Sequence, residues 1–330
     1  MIAAVMCVAL VAFLFVYPRE ADDLSTETEA PTLPKEKISS ESPSEAQSSE
    51  SPAEAREDAG SSASEWPDTR ASEEQLSTQR RAHTPEELSC YIDRTGASYR
   101  NAQRYLSQAD VPTLVAMLDD PLQSQNWWKI ESSLGYIDEG GVSADALIAF
   151  IFRADDWERL QGRPRPGAAM LSKADAISKL GFIGGDAATD ALRLLFTEEG
   201  AIQYLSEWSD DAIAASSVSK YLVRSKAAQG LVYTQEAANI QLVEQFYQSV
   251  LPQVRAINRR PGEGNILNKS ETKEDYELCK LYTLALTALA YRDYIESEGI
   301  EEWKSIVNDT DMRQSVVIRY FGKYSMDLEE

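Results

Sequence analysis

The chain has 330 residues, 54 acidic and 32 basic, for a formal net charge of −22. That excess of acid argues against a nucleic-acid-binding face, which needs a basic footprint for phosphates. A single histidine, His83, and three cysteines without metal-ligand spacing (Cys7, Cys90, Cys279) argue against zinc, non-haem iron and imidazole-based catalysis, so no metal or other cofactor is expected.

The chain opens on Ile2 to Tyr17, IAAVMCVALVAFLFVY, which is uncharged and ends at Pro18-Arg19. As a helix it would rise about 24 Å, a little short of the roughly 30 Å hydrocarbon core of a bilayer. A cleaved signal peptide calls for a basic start and an Ala-x-Ala-like exit. Neither is present, so residues 1–18 read as a membrane signal anchor. Residues 19–83 follow as an acidic Ser/Pro/Glu linker, as in KISSESPSEAQSSESPAEAREDAGSSASE. Too few large apolar side chains occur there to offset chain entropy, and the segment is expected to be disordered. An anchor, an acidic stalk and then a domain is a plan common among single-pass bacterial envelope proteins. The expected location is the bacterial inner membrane with the C-terminal domain in the periplasm; a domain tied to the cytoplasmic face is the alternative.

From residue 84 onward the pattern is helical. Thr84-Pro85-Glu86-Glu87 has a hydroxyl cap, a first-turn proline and acids at the positive end of a helix dipole. Leu88, Tyr91, Ile92, Tyr99, Ala102, Tyr105 and Leu106 then recur at helical spacing, which predicts one buried face. Asp110-Val111-Pro112 starts the helix TLVAML, and QNWWKIESSLGYI is closed by Gly140-Gly141. No long β-alternating run appears, so residues 84–330 are predicted to be all-α.

Two phrases nearly coincide: LGYIDEGGVSADAL from Leu134 and LGFIGGDAATDAL from Leu180. Each reads as a helix end, a glycine turn and the start of the next helix. Gly135 and Gly181 lie inside the helical pattern, where glycine costs up to about 1 kcal/mol relative to alanine, so close approach of a neighbouring helix is expected. A fainter third copy is AAQGLVYTQ, with Leu231, Val232 and Tyr233 in the places of Leu-Gly-aromatic, and a fourth surrounds Leu289 in LTALAYRDYI.

These phrases resemble bacterial HEAT-like repeats, most clearly over residues 110–250. Leu118, Asp120 and Pro121 match the end of a first helix, and Leu134, Gly135 and Ile137 the end of a second. Trp127-Trp128 stands where that family has a Val-Arg pair, and DDWERLQGRPRPG enlarges one inter-helix turn. The resemblance implies an α-solenoid whose stacked units bury their apolar faces against one another and offer a protein-binding surface.

Arg163 and Arg165 in QGRPRPG, and Arg259 and Arg260 in INRRPGEGN, are candidate grips for an acidic partner in this acidic chain. Among the tryptophans clustered near the turns (Trp127, Trp128, Trp157, Trp208), Trp127 and Trp128 are candidate aromatic anchors, with core packing the alternative. Glu131-Ser132 resembles the Glu-Ser pair of lytic transglycosylases, although the Gly-Leu-Met-Gln-type phrase is absent; a glutamate on a solvated helix face is the simpler reading. Asp119-Asp120, Asp155-Asp156 and Asp210-Asp211 suit caps and turns better than an EF-hand loop. Cys90 and Cys279 could pair if the domain is exported, or stay as two separate thiols. The expected function is a membrane-tethered scaffold that binds a protein partner, without a small-molecule cofactor. The alternative is a helical envelope enzyme, either a cell-wall hydrolase or a lyase built on HEAT-like repeats, as in phycobilisome lyases.

Overall fold

The computed structural model describes residues 82–330, apart from 96–97, 139, 155, 161–165, 262–265 and 330. The expected anchor (1–18), the body of the linker with its Trp66, and both Arg163 and Arg165 lie outside the described residues. Among the described residues the fold is all-α and contains no strand. None of these helices is long and apolar enough to cross a membrane.

The helices, in order, are α1 (Pro85–Thr95), α2 (Tyr99–Tyr105), α3 (Val111–Leu118), α4 (Trp127–Ile137), α5 (Ala144–Phe152), α6 (Asp156–Leu160), α7 (Pro166–Ile183), α8 (Asp186–Phe196), α9 (Glu198–Ser206), α10 (Asp210–Ser216), α11 (Lys220–Tyr233), α12 (Ala237–Asn258), α13 (Lys273–Glu298), α14 (Ile300–Ile306) and α15 (Thr310–Glu329). Their starts follow the local chemistry of the sequence. At α1 the Thr84 hydroxyl accepts from the Glu87 N–H (3.3 Å) while the Glu87 carboxylate accepts from the Thr84 N–H (2.8 Å), a reciprocal cap. Thr272 and Asp275 repeat the arrangement at α13, and Thr197, Ser209 and Ser219 cap α9, α10 and α11. His83 is held next to α1, its backbone N–H and ring Nδ1 lying 2.7 and 2.9 Å from Oδ1 of the buried Asp110.

Four helices, α4, α7, α11 and α13, pack one on the next in a row. Shorter helices flank it: α3 against α4, α5 and α10 against α7, α8 against α7 and α11, and α12 against α13. The repeated aromatic of the sequence phrase explains the register. Tyr136 of α4, Phe182 of α7 and Tyr233 of α11 meet successively, with ring centroids 6.4 and 4.5 Å apart, the second pair stacked within 3° of parallel. Tyr99 of α2 extends the series at one end, 5.2 Å from Tyr136. At the other end Trp303 of α14 lies 5.8 Å from Tyr233 and 4.5 Å from Tyr291 of α13. The C-terminal hairpin therefore returns over the row, and α14 reaches back to touch α2.

Gly181 fulfils the expectation of close helix approach: a Cβ there would meet the carbonyl oxygen of Gly230 in α11 at 2.0 Å. Gly135 does not, since its added Cβ would find ordinary contacts at 3.5–3.6 Å on Phe182 and Lys179. Helix C-termini, whose last carbonyls lack partners within the helix, are closed by cations from neighbouring helices. Lys129 Nζ donates to Ile92 O (3.1 Å), Lys173 Nζ to Phe150 O (2.5 Å) and Arg224 Nε to Phe196 O (2.9 Å).

Gly181→Ala is expected to cost about 1–3 kcal/mol, because backbone must move backbone, whereas Gly135→Ala should lie within about 1 kcal/mol of the parent, helped by alanine's helix propensity. Urea unfolding of the two variants checks this; equal losses would contradict the glycine contact as the element that sets the α7–α11 spacing.

Candidate polar pocket on the helix row

Several charged side chains tie neighbouring helices together. Arg153 pairs with Asp119 and Asp156 and also donates to Leu118 O (2.8 Å), tying the end of α3 to the end of α5. Asp156 further accepts from Arg159 (2.6 Å) and lies 2.7 Å from Lys173 Nζ. Lys173 is wholly buried, with its ammonium 4.1 Å from the Phe150 ring centroid and 5.4 Å from that of Trp127. A buried cation with an ion pair, carbonyl acceptors and aromatic faces is a closed structural unit.

A second cluster of charge is built differently. The phrase WWKIESS winds α4 so that Trp128, Glu131 and Ser132 line one side of a pocket of about 130 Å³. The phrase KADAISK brings Asp175, Ser178 and Lys179 from α7, and RSKAAQ brings Lys226 and Gln229 from α11. The turn after α14, with Val307 and Asn308, and the first turn of α15, with Arg313, close it. Lys226 Nζ pairs with Asp175 Oδ1 at 2.5 Å. Lys179 Nζ donates to Asn308 Oδ1 (2.9 Å), and Asn308 Nδ2 donates to the Tyr136 hydroxyl (2.8 Å), so the ladder aromatic and the pocket share a partner. Ser172 Oγ donates weakly to Glu131 Oε2, at 3.4 Å. The Arg313 Nε is buried and finds no acceptor among the described residues. Trp128 stands 42% exposed at the rim.

The electrostatics follow from this placement. Burial pushes the Glu131 carboxyl well above its ordinary 4.5, and the Asp175 charge adds to the effect; Lys179, Lys226 and Ser172 pull the other way. Asp175 feels burial only in part, its side chain being 42% exposed, and the Lys226 ammonium holds it below the usual carboxylate range. Burial brings Lys179 down from 10.5 to about 8, against the opposing pull of Glu131 and Asp175.

Glu131 is thus a correction to the sequence reading: it is 1% exposed and faces a pocket rather than solvent. Of the anchor residues, Trp127 is fully buried, its ring 5.0 Å from Phe150, while Trp128 reaches solvent beside the pocket. Arg260 is engaged within the domain by Asp275, which is held down to about 2, and its Nη1 also meets Lys269 O at 3.4 Å. Arg259 begins the turn after α12, away from the pocket's lining. The Trp157 side chain is outside the described residues. Cys90 is exposed on α1 and Cys279 is buried in α13, and the two thiols are not joined in this structure. Asp120 caps its own turn through the Leu122 N–H (2.9 Å), and among the described residues no group of three His, Cys, Asp or Glu gathers that could hold a metal ion.

Sequence reading missed Asp175, Lys179, Lys226, Asn308 and Arg313. The available signal was in α11, KYLVRSKAAQGLVY, where charge and amide interrupt the face that a buried helix should keep apolar. The chain matches no protein-family model, no curated protein and no solved structure.

The sign of the pH dependence is fixed by Glu131. A carboxyl raised in the native state favours folding below 4.5, its ordinary value, and that contribution is lost as pH rises through the native titration. Lys179 acts in a higher window, favouring the native state increasingly between about 8 and 10.5. Subtracting the pH–stability curve of Glu131→Gln from that of the parent should leave a difference that falls as pH rises above 4.5. A flat difference would contradict the burial of this carboxyl.

Proposed function

We propose that this chain is a membrane-tethered, HEAT-like helical-repeat module that binds a protein partner, and that the partner engages the pocket rimmed by Trp128. The reading of residues 1–18 as an anchor and 19–83 as a stalk places the module in the bacterial envelope, on the periplasmic side of the inner membrane. The observation that carries the binding site is a cluster of charges, with Glu131, Lys179 and Lys226 buried, next to a half-exposed tryptophan. Such charges cost several kcal/mol each unless fully paired, and the all-α row does not need them to bury its apolar faces. Perturbed titrating groups concentrate where a protein acts on something else, and an exposed tryptophan supplies the apolar contact typical of interface hot spots.

An envelope enzyme is the second reading, favoured by one specific observation. Glu131 is raised and Asp175 lowered, and two carboxyls driven apart in this way suit an acid and a base. Size decides between the readings. A cavity of 130 Å³ is well below the roughly 300–1,000 Å³ of ordinary substrate pockets. It admits one functional group rather than a sugar ring or a large lyase substrate, which favours recognition over turnover.

A photoreactive amino acid placed at position 128 in cells should give a discrete adduct with one protein, and the same residue at Ile202, exposed on α9, should not. Trp128→Ala should weaken that association by about 2 kcal/mol, the usual scale for an interface hot spot. Adducts of equal yield at both positions, or none at 128, would remove this site from the account.

A further inference from the structure

Three cations, Lys179, Lys226 and Arg313, line the pocket with two carboxyls, Asp175 and Glu131. Asp175 neutralises Lys226 directly. Burial raises the Glu131 carboxyl, so it offsets Lys179 and Arg313 less than an exposed carboxylate would. The pocket is therefore electropositive inside a chain of net charge −22. An acidic molecule has little reason to gather buried positive charge unless an anion is brought to it.

The donors define that anion further. Arg313 presents a buried Nε–H without an acceptor among the described residues. Lys179 spends one of its three donors on Asn308, and the Gln229 amide donates to Ser225 Oγ at 3.2 Å. The Asp175 carboxylate would repel a dianion more strongly than a monoanion. The volume accepts a handful of non-hydrogen atoms. Trp128 at the rim would cover the apolar stem that carries the group.

Resting on the binding reading above, we propose that the pocket is a receptor for one carboxylate, the chain terminus or an acidic side chain of the bound protein. Arg313 and Lys179 donate to its oxygens, and Lys226 holds Asp175 out of the way. The neighbouring apolar ladder and the turn after α14 fix these donors in place, so the carboxylate replaces whatever water fills the pocket.

The test uses the full chain labelled with 15N at arginine and three probes: acetate, N-acetyl-glycyl-glycine with a free carboxylate, and the same peptide as its C-terminal amide. The expected result is a saturable shift of the Arg313 Nε–H signal and a rise in Tm with the free-acid peptide, and neither with the amide. A tighter response to the free-acid peptide than to acetate identifies a polypeptide carboxylate as the ligand; an equal response identifies a free small carboxylate and overturns the assignment to a partner's chain. Arg313→Gln and Lys179→Met should each weaken the free-acid peptide about tenfold, the loss expected for one charge-assisted hydrogen bond, while still unfolding cooperatively. A pocket that holds only water gives no saturable response to any probe, and that result overturns the proposal. If it does so while position 128 still yields its adduct in cells, the carboxylate assignment alone fails and the binding reading stands.

Discussion

The fold depends on a single series of aromatic contacts. Tyr136, Phe182 and Tyr233 come from equivalent places in three copies of one sequence phrase, and they meet because α4, α7 and α11 lie side by side. A helix that ends on Leu-Gly-aromatic cannot bury that ring by itself. It needs the next copy, and the last copy needs something else. Trp303 meets that need: it is fully buried, between Tyr233 and Tyr291, on a helix that comes from beyond the row. The same segment carries Lys304, whose ammonium sits 5.8 and 5.9 Å from the Tyr99 and Phe182 rings. One short helix thus finishes the ladder, and the turn that follows it supplies Val307 and Asn308 to the wall of the pocket.

Two buried ammonium groups on α7 show how burial separates structure from function. Lys173 has Asp156, two backbone carbonyls and aromatic faces around it, and it closes the end of α5. Lys179, lower on the same helix, has the Asn308 amide as its hydrogen-bonded acceptor and is drawn down to about 8 by burial. The first arrangement repays its desolvation with good geometry. The second leaves positive charge and donors turned toward a cavity that reaches solvent beside Trp128. Being buried makes both lysines costly, but Lys173 is closed in by the fold while Lys179 lines the pocket.

The all-α class and the three aligned phrases were legible in the sequence because both rest on local signals. The cap at Thr84 and the glycine at 181 act within a turn or on the next helix of the row, and the chain order reveals them. The site was not legible in the same way. Glu131 looked like a surface residue because α4 carries Trp127 and Trp128 on neighbouring positions, and no periodicity says which of two tryptophans is inside. The answer comes from Lys173, 46 residues beyond Trp127 and folded beneath its ring. Arg313 and Asn308 join the pocket only because Trp303 docks far back along the chain, and the Asn308–Tyr136 hydrogen bond spans 172 residues. Arg260, prominent in sequence as a loop cation, turned inward to Asp275 for the equally non-local reason that the start of α13 returns beside the end of α12.

The ladder and the pocket are both complete only while α14 lies closed over the helix row in solution. Hydrogen–deuterium exchange of the full chain measures this directly at the backbone amides of Trp303 to Val307, against those of Ala227 to Leu231 in α11. The account predicts protection of the two segments within about one order of magnitude, as for parts of one cooperative unit. Exchange of the 303–307 amides at the rate of an exposed loop, with α11 still protected, would mean that the row is open, the pocket lacks its fourth wall and the ladder ends at Tyr233.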